Sequence, residues 1–307
     1  MSAAIYTHRA CLAHDPGPGH PESSARLAAV LETLDDPAFS ALARVEAPIA
    51  TREQLARVHA QELIDSVLQD PIESGWRRID PDTVMSPVSA EAALRAAGAV
   101  CAAVDSAIGG EHERAFCAVR PPGHHATRDT AMGFCLFNSV AVGAAHAIVA
   151  HGLSRVAIVD FDVHHGNGTQ DIFWSDPRVL YASSHQWPLY PGTGARSETG
   201  AGNIVNAPLR PGSGSAEFRA ACEAMLLPAV ERFAPELVMI SAGFDAHRLD
   251  PLANLNFTAD DYAWITGRLV EIAGRHAQGR VVSSLEGGYS LTALRESVAA
   301  HLAALTA

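Results

Sequence analysis

The sequence predicts an α/β fold, a parallel sheet covered by helices on both faces, and three features carry that expectation. Short apolar runs alternate with helical patterns of 10 to 20 residues through the second half of the chain. The strand candidates are continuous aliphatic runs rather than alternating ones, as strands buried on both faces require. Five of these runs are followed directly by ionisable or polar residues. In open α/β sheets, that carboxyl end of the strands is where ligands bind.

Taken in order, Ala3 to Thr7 forms a first short strand. The loop from Asp15 to Glu22, rich in Pro and Gly, cannot be helix. Ser23 or Ser24 caps a helix whose Leu27, Val30, Leu31 and Leu34 repeat at helical spacing. Thr51 to Gln54 reads as a capping box opening another helix. Residues 80–82 and 86–87 are irregular around their prolines, and an Ala-rich helix then runs from Ser89 to Ile108, ended by Gly109-Gly110. The alternation follows: strand Ala115 to Val119, helix Ser139 to Val149, strand Val156 to Val159, strand Val179 to Ser183, and a short strand Ile204 to Ala207. Helix Ala216 to Phe233, strand Leu237 to Ser241, helix Asp260 to His276, strand Val281 to Leu285 and helix Leu291 to Leu305 complete the chain.

No Ser/Gly-rich or charged linker divides the chain, so residues 1–307 read as one domain; a hydrophobic content of 48% suffices for its core. The start lacks the basic segment and apolar run of a signal peptide, and no 18-residue stretch is uninterruptedly apolar, so the expectation is a cytoplasmic protein without a membrane span. Cys11, Cys101, Cys117, Cys135 and Cys222 form no C-x-x-C pair and are expected to be buried free thiols. The net charge of -12, with arginine as the sole strong base, argues against a nucleic-acid partner and weakly favours cationic substrates.

The stretch from Arg155 to Gln170 organises the rest. Its aliphatic run, Val156 to Val159, gives way without a spacer to Asp160, Asp162, His164, His165 and Asn167. Alternate strand positions point Asp160, Asp162 and His164 the same way, with ~7 Å between successive Cα atoms of the set. A polar loop with a capping aspartate explains any one of these residues, but not five in eleven positions. The other strands deliver His124-His125, then Ser183-Ser184-His185, then Asp245 and His247, then Glu286-Gly-Gly-Tyr289.

A catalytic zinc takes about three protein ligands and an open position. Asp162, His164 and Asp245 supply such a set, oxygen-rich enough to leave iron(II), cobalt(II) or manganese open. His124 and His125 offer proton transfer, with Asp160 and Asn167 as the acceptors that orient them. Tyr289, after a Gly-Gly hinge, offers a hydroxyl to a developing oxyanion. Each has a plain alternative: a solvent-facing histidine pair, or an aromatic packed after a strand.

Arg120-Pro-Pro-Gly-His-His-Ala, Gly133-Phe-Cys-Leu-Phe-Asn138, Asp160-Phe-Asp-Val-His-His-Gly-Asn-Gly-Thr-Gln170, Ser241-Ala-Gly-Phe-Asp245 and Leu285-Glu-Gly-Gly-Tyr289 resemble the motifs of the zinc-dependent histone deacetylase family. The similarity is to its class II and bacterial acetylpolyamine-amidohydrolase branch, and it runs from the His20 loop to the last strand. It implies an arginase-like fold with an eight-stranded parallel sheet and a deacetylase activity. It implies zinc on Asp162, His164 and Asp245, His125 as general base and acid, and His124 as its electrostatic partner backed by Asp160. Tyr289 would bond the scissile carbonyl. Phe134 and Tyr190 would wall an acyl-lysine tunnel with Gly133 on its floor and Leu252 at its rim, and Arg26 would lie near an acetate-release channel. A structural potassium is implied on Asp160, Asp162, His164, Ser183 and Ser184, and a second near Phe173, Asp176, Val179 and Asn203.

Asn167 stands where class I members carry aspartate, so the group behind His125 is neutral. Leu252 stands where some polyamine deacetylases carry an acidic gatekeeper, which argues mildly against selection for a free-amine polyamine, although another acid such as Glu22 could substitute. The leading expectation is hydrolysis of acetyl or similar acyl groups from an amine, on a small molecule or a peptide, with homo-oligomerisation left open. Hydrolysis of another small amide, xenobiotic ones included, and non-catalytic acyl-lysine binding are the alternatives. The complete set of proton carriers argues against a mere binder.

Overall fold

Ten strands are present among residues 2–69 and 72–307, which a computed structural model describes. They are β1 (Ala3–Thr7), β2 (Ala43–Glu46), β3 (Arg77–Arg78), β4 (Val84–Met85), β5 (Arg114–Cys117), β6 (Val156–Asp160), β7 (Val179–Gln186), β8 (Ile204–Leu209), β9 (Leu237–Ala242) and β10 (Val281–Leu285). Eight of them build one sheet in the order β2-β1-β5-β10-β9-β6-β7-β8, and β3 pairs with β4 as a separate small hairpin. Every pair of neighbours in the large sheet is parallel. Every residue of β5, β6, β7, β9 and β10 is buried, so helices cover both faces of the sheet's centre. Helices Ser89–Gly109 and Ser139–His151 pack against each other and the sheet. Ala259–His276, Leu291–Thr306 and Ser24–Leu34 form a second packed group.

The expected strands are all present. β7 runs three residues further than expected, to Gln186, so Ser184 and His185 sit inside the strand rather than after it. The edge strand β2 was not legible, because its four residues alternate between half-buried and exposed and include Arg44 and Glu46. The helical stretch before β9 contains a π turn at Cys222–Leu226. Pro228 follows it, and a proline's missing N–H breaks the regular i→i−4 ladder. The Thr51 capping box forms as expected but opens only a short helix, Arg52–Ala56.

Helix Ser89–Gly109 is long and apolar enough to cross a bilayer, yet two-thirds of its most apolar stretch lies inside the fold. Its alanines let it sit close to β1, β5 and β10. At Gly98 it faces the segment after β2, where an added Cβ would collide with the Pro48 carbonyl oxygen and lie 2.8 Å from Ala50 N. Gly274, by contrast, sits in helix Ala259–His276 with open space beside it. Gly98→Ala should therefore cost about 1–3 kcal/mol of unfolding free energy, whereas Gly274→Ala should gain up to about 1 kcal/mol. Equal changes in urea unfolding for the two variants would contradict this packing.

Candidate metal centre

The central strands β5, β10, β9, β6 and β7 are contiguous, so the polar residues at their carboxyl ends meet in one place. Beyond Asp160 the chain leaves β6, and Asp162 and His164 fold back toward Asp245 at the end of β9. One nitrogen, His164 Nδ1, lies 3.2 Å from Asp162 Oδ1 and 3.1 Å from Asp245 Oδ2. The three ligand atoms fall within 4.8 Å of one another. A single N–H satisfies only one of two carboxylates, whereas a cation between all three satisfies the set. Glycine makes the closure possible, because a Cβ on Gly287 would strike both carboxylates and one on Gly243 would strike Asp162. Gly287 N also donates to Asp162 Oδ2 at 2.8 Å.

Electrostatics point the same way. Burial and the facing Asp162 carboxylate push Asp245 up to about 7. Burial alone would lower His164, but Asp162 and Asp245 hold it up at about 10. Two buried carboxylates against one imidazole repel each other, and a dication relieves that repulsion.

His124 and His125 stand beside this point with ring centres 4.0 Å apart. His124 Nδ1 faces Asp160 Oδ2 at 3.0 Å, and the Tyr181 hydroxyl donates to the same oxygen at 3.0 Å. Burial opposes a charge on His124, but Asp160 and Asp162 outweigh it and raise the imidazole to about 10. His125 Nδ1 faces the neutral Asn167 Oδ1 at 2.8 Å. Burial, then the neighbouring His124 and His164, drive His125 well below its ordinary value. One imidazole of the pair is thus held charged and the other neutral. Gly133 packs against the neutral ring at a φ of +57°, where a Cβ would approach His125 Cδ2 to 2.6 Å.

Tyr289 lies over Arg26, whose guanidinium carbon is 4.8 Å from the ring centre, and stands edge-on to Phe134 at 6.0 Å. Burial keeps its phenol well above the ordinary value, so it is a proton donor. Tyr190 stands edge-on to His125 at 5.1 Å. Leu252 joins the group through Asp250, which accepts from Leu252 N at 3.0 Å and from Tyr289 N at 2.7 Å. Phe134 packs on His20 at 4.7 Å.

Glu22 is not a tunnel residue. It is fully buried, paired with both Arg120 and Arg26 and placed 3.4 Å from His14, so no acid is left there for a substrate amine. Arg26 in turn donates to the carbonyls of Gly288 and Glu286, and so holds the segment that carries Tyr289. The residues expected around two potassium ions behave differently from each other. Ser184 Oγ is buried without a hydrogen-bond partner beside the fully buried Asp160 strand end, a setting that fits a monovalent cation. At the second position, the Phe173, Asp176 and Val179 carbonyls converge instead on the Asn203 side-chain amide, which does not fit an ion.

Four supporting residues had no role in the sequence reading. Glu286 Oε2 accepts from Gly123 N and His124 N at 2.6 and 3.1 Å, fixing the histidine loop. Tyr181 and Asp250 act as described, and His59 accepts from Asn138 N at 2.9 Å while Asn138 holds the Ala126 carbonyl. Only Glu286, directly after an aliphatic strand, left a signal. A second cluster, Asp105 with His146 and His151, also brings ligand atoms together. There an Arg57 nitrogen lies 2.7 Å from His146 Nδ1, and the Nε2 atoms of His146 and His151 each lie 2.6 Å from Asp105 Oδ1. Hydrogen bonds hold that cluster together, and its Asp105 is half exposed.

The chain matches the histone deacetylase domain over residues 20–305. It is 40% identical to chloroplastic histone deacetylase 14 of Arabidopsis thaliana, covering 98% of this chain and 76% of that protein. It is 37% identical to the histone deacetylase-like amidohydrolase of Pseudomonas aeruginosa, over 94% and 81%. A probable deacetylase of Archaeoglobus fulgidus is 39% identical over 95% and 82%. The crystal structure of the HDA15 HD domain superposes with a TM-score of 0.94 at 36% identity, covering 99% of this chain and 88% of that one.

His59 offers a test of the scaffold behind the histidine loop. Its Nδ1 lies 2.9 Å from the Thr127 carbonyl and its Nε2 accepts from Asn138, so it is neutral, and burial lowers it to about 4. A depressed histidine contributes stability that is full above the unfolded value near 6.5 and is lost as pH falls toward the folded one. That loss amounts to about 3 kcal/mol between pH 6.5 and 4. Ring 15N shifts should show His59 neutral down to about pH 4; titration near 6.5 would contradict the assignment.

Proposed function

We propose, from the premise that this chain belongs to the histone deacetylase family, that its zinc-dependent chemistry runs on Asp162, His164 and Asp245, with His125, His124 and Tyr289 handling protons and charge. The chain is a metal-dependent deacetylase acting on acylated amines. The observation that carries the residue assignment is the convergence of two buried carboxylates on His164 Nδ1.

A dication held by these residues would supply Lewis-acid polarisation of the scissile carbonyl and activation of the attacking water. His125 accepts the water's proton at Nε2, because its Nδ1–H is committed to Asn167 Oδ1. The same nitrogen then returns the proton to the departing amine. His124, bonded to Asp160, keeps a positive charge beside the developing negative charge. Tyr289 donates its hydroxyl to the carbonyl oxygen as that oxygen gains charge. Phe134 and Tyr190 flank this point as aromatic walls, which suits a linear acyl-amine arm. Leu252 adds apolar surface and no charge, and the burial of Glu22 removes one acid that could replace it, whereas Asp80 and Asp82 act electrostatically on Tyr190. The uncharged Leu252 suits acyl-lysine peptides and small acyl-amines. A structural potassium on the carboxyl ends of β6 and β7 is supported by the unpartnered Ser184 hydroxyl.

Asp162→Ala and Asp245→Ala should each lose bound metal and turnover together, as read by elemental analysis and a fluorogenic acetyl-lysine peptide. Full metal occupancy in both variants would contradict the ligand set. Tyr289→Phe should retain metal but lower kcat about 10²–10³-fold, the size of losing one oxyanion donor. Unchanged turnover would remove Tyr289 from the reaction.

A further inference from the structure

The expected second potassium position lies where the loop after helix Asn167–Ile172 meets the first residues of β7 and β8. Three backbone carbonyls point inward there, those of Phe173, Asp176 and Val179. Asn203 Nδ2 lies 2.8, 3.1 and 2.8 Å from them respectively, at the centre of the group. The amide is fixed in that orientation, because its Oδ1 accepts from Ala201 N at 3.0 Å. The opposite orientation would set an oxygen against three oxygens and two N–H groups against a third. The Asn203 backbone carbonyl accepts from Tyr181 N at 2.9 Å in the approach to the β7–β8 ladder. Asn203 is buried, and Gly200, at a φ of +55°, packs so closely on its Oδ1 and on the Trp174 carbonyl that only glycine fits. Two of the three carbonyls hold a backbone donor as well: Asp176 N donates to Phe173 O, and Val179 N to Asp176 O, both at 3.1 Å.

We propose that the Asn203 carboxamide replaces the second structural cation, so that its partly positive nitrogen draws together carbonyls that would otherwise require an ion. An amide nitrogen offers two N–H groups at hydrogen-bond distance, and the electrostatic demand of three converging oxygens is met from within the chain. The ties between the helix loop, β7 and β8 are then independent of potassium. Removing the amide restores a cavity lined by three carbonyl oxygens, the oxygen-rich environment that a hard monovalent cation takes.

Potassium stoichiometry tests this on the intact, metal-loaded protein. Wild type and Asn203→Ala are exchanged into tetramethylammonium buffer and titrated with potassium chloride by calorimetry. Binding is cross-checked with thallium(I), whose bound ions are counted by NMR. Asn203→Ala should bind one more monovalent ion per chain than wild type, and its melting temperature should rise with potassium more steeply. Equal stoichiometry and equal potassium dependence in the two proteins would overturn the proposal. If Asn203→Ala does not fold, wild type decides alone: no more than one bound ion supports the replacement, and two bound ions overturn it.

Discussion

Buried negative charge that the chain does not itself neutralise is the constraint on which this structure depends. Asp160, Asp162, Asp245 and Glu286 are all buried at the carboxyl edge of the sheet. Protein groups account for much of this charge: Asp160 has His124 and Tyr181, and Glu286 has two backbone N–H groups. Asp162 and Asp245 accept backbone N–H groups from His164, Gly287 and Val163, but the two carboxylates face one imidazole nitrogen between them. A buried ion pair is tolerable only when every charge is met, so this point selects a cation. Its ligands come from the ends of adjacent strands β6 and β9, which gives the site the rigidity of the sheet.

The same logic orders the surroundings. Arg120 and Arg26 are fully buried cations that share the one carboxylate of Glu22 and direct their remaining N–H groups to backbone carbonyls, and together they tie the loop before helix Ser24–Leu34 to the segment bearing Tyr289. Asp250 anchors the other side of that segment through Tyr289 N and Ser290 N. The proton-carrying pair is divided by its acceptors, a carboxylate behind His124 and an amide behind His125. That division gives two adjacent histidines different charge states and hence different tasks.

The central sheet was legible because strands buried on both faces must be aliphatic throughout, as Val156 to Val159 are. The ligands were legible because ionisable side chains break such runs only where something binds them. Glu22 was misread as available because a glutamate in a Pro-rich loop reads as solvated, while its main partner Arg120 lies 98 residues away. Asn203 was equally opaque: an asparagine after glycine signals a turn, and its three carbonyl acceptors come from a different connection. Tyr181 and Asp250 left no mark, one being another large residue in a strand and the other an Asp-Pro turn. Periodicity and composition register what a residue is, whereas these roles depend on what long-range closure places against it.

The most direct measurement of the central claim is a crystal of the metal-loaded protein examined by anomalous scattering on either side of the zinc edge. The account predicts one strong zinc peak about 2.0–2.2 Å from His164 Nδ1 and from oxygens of Asp162 and Asp245. No zinc peak between those residues, with the strongest one instead at Asp105, His146 and His151, would contradict it.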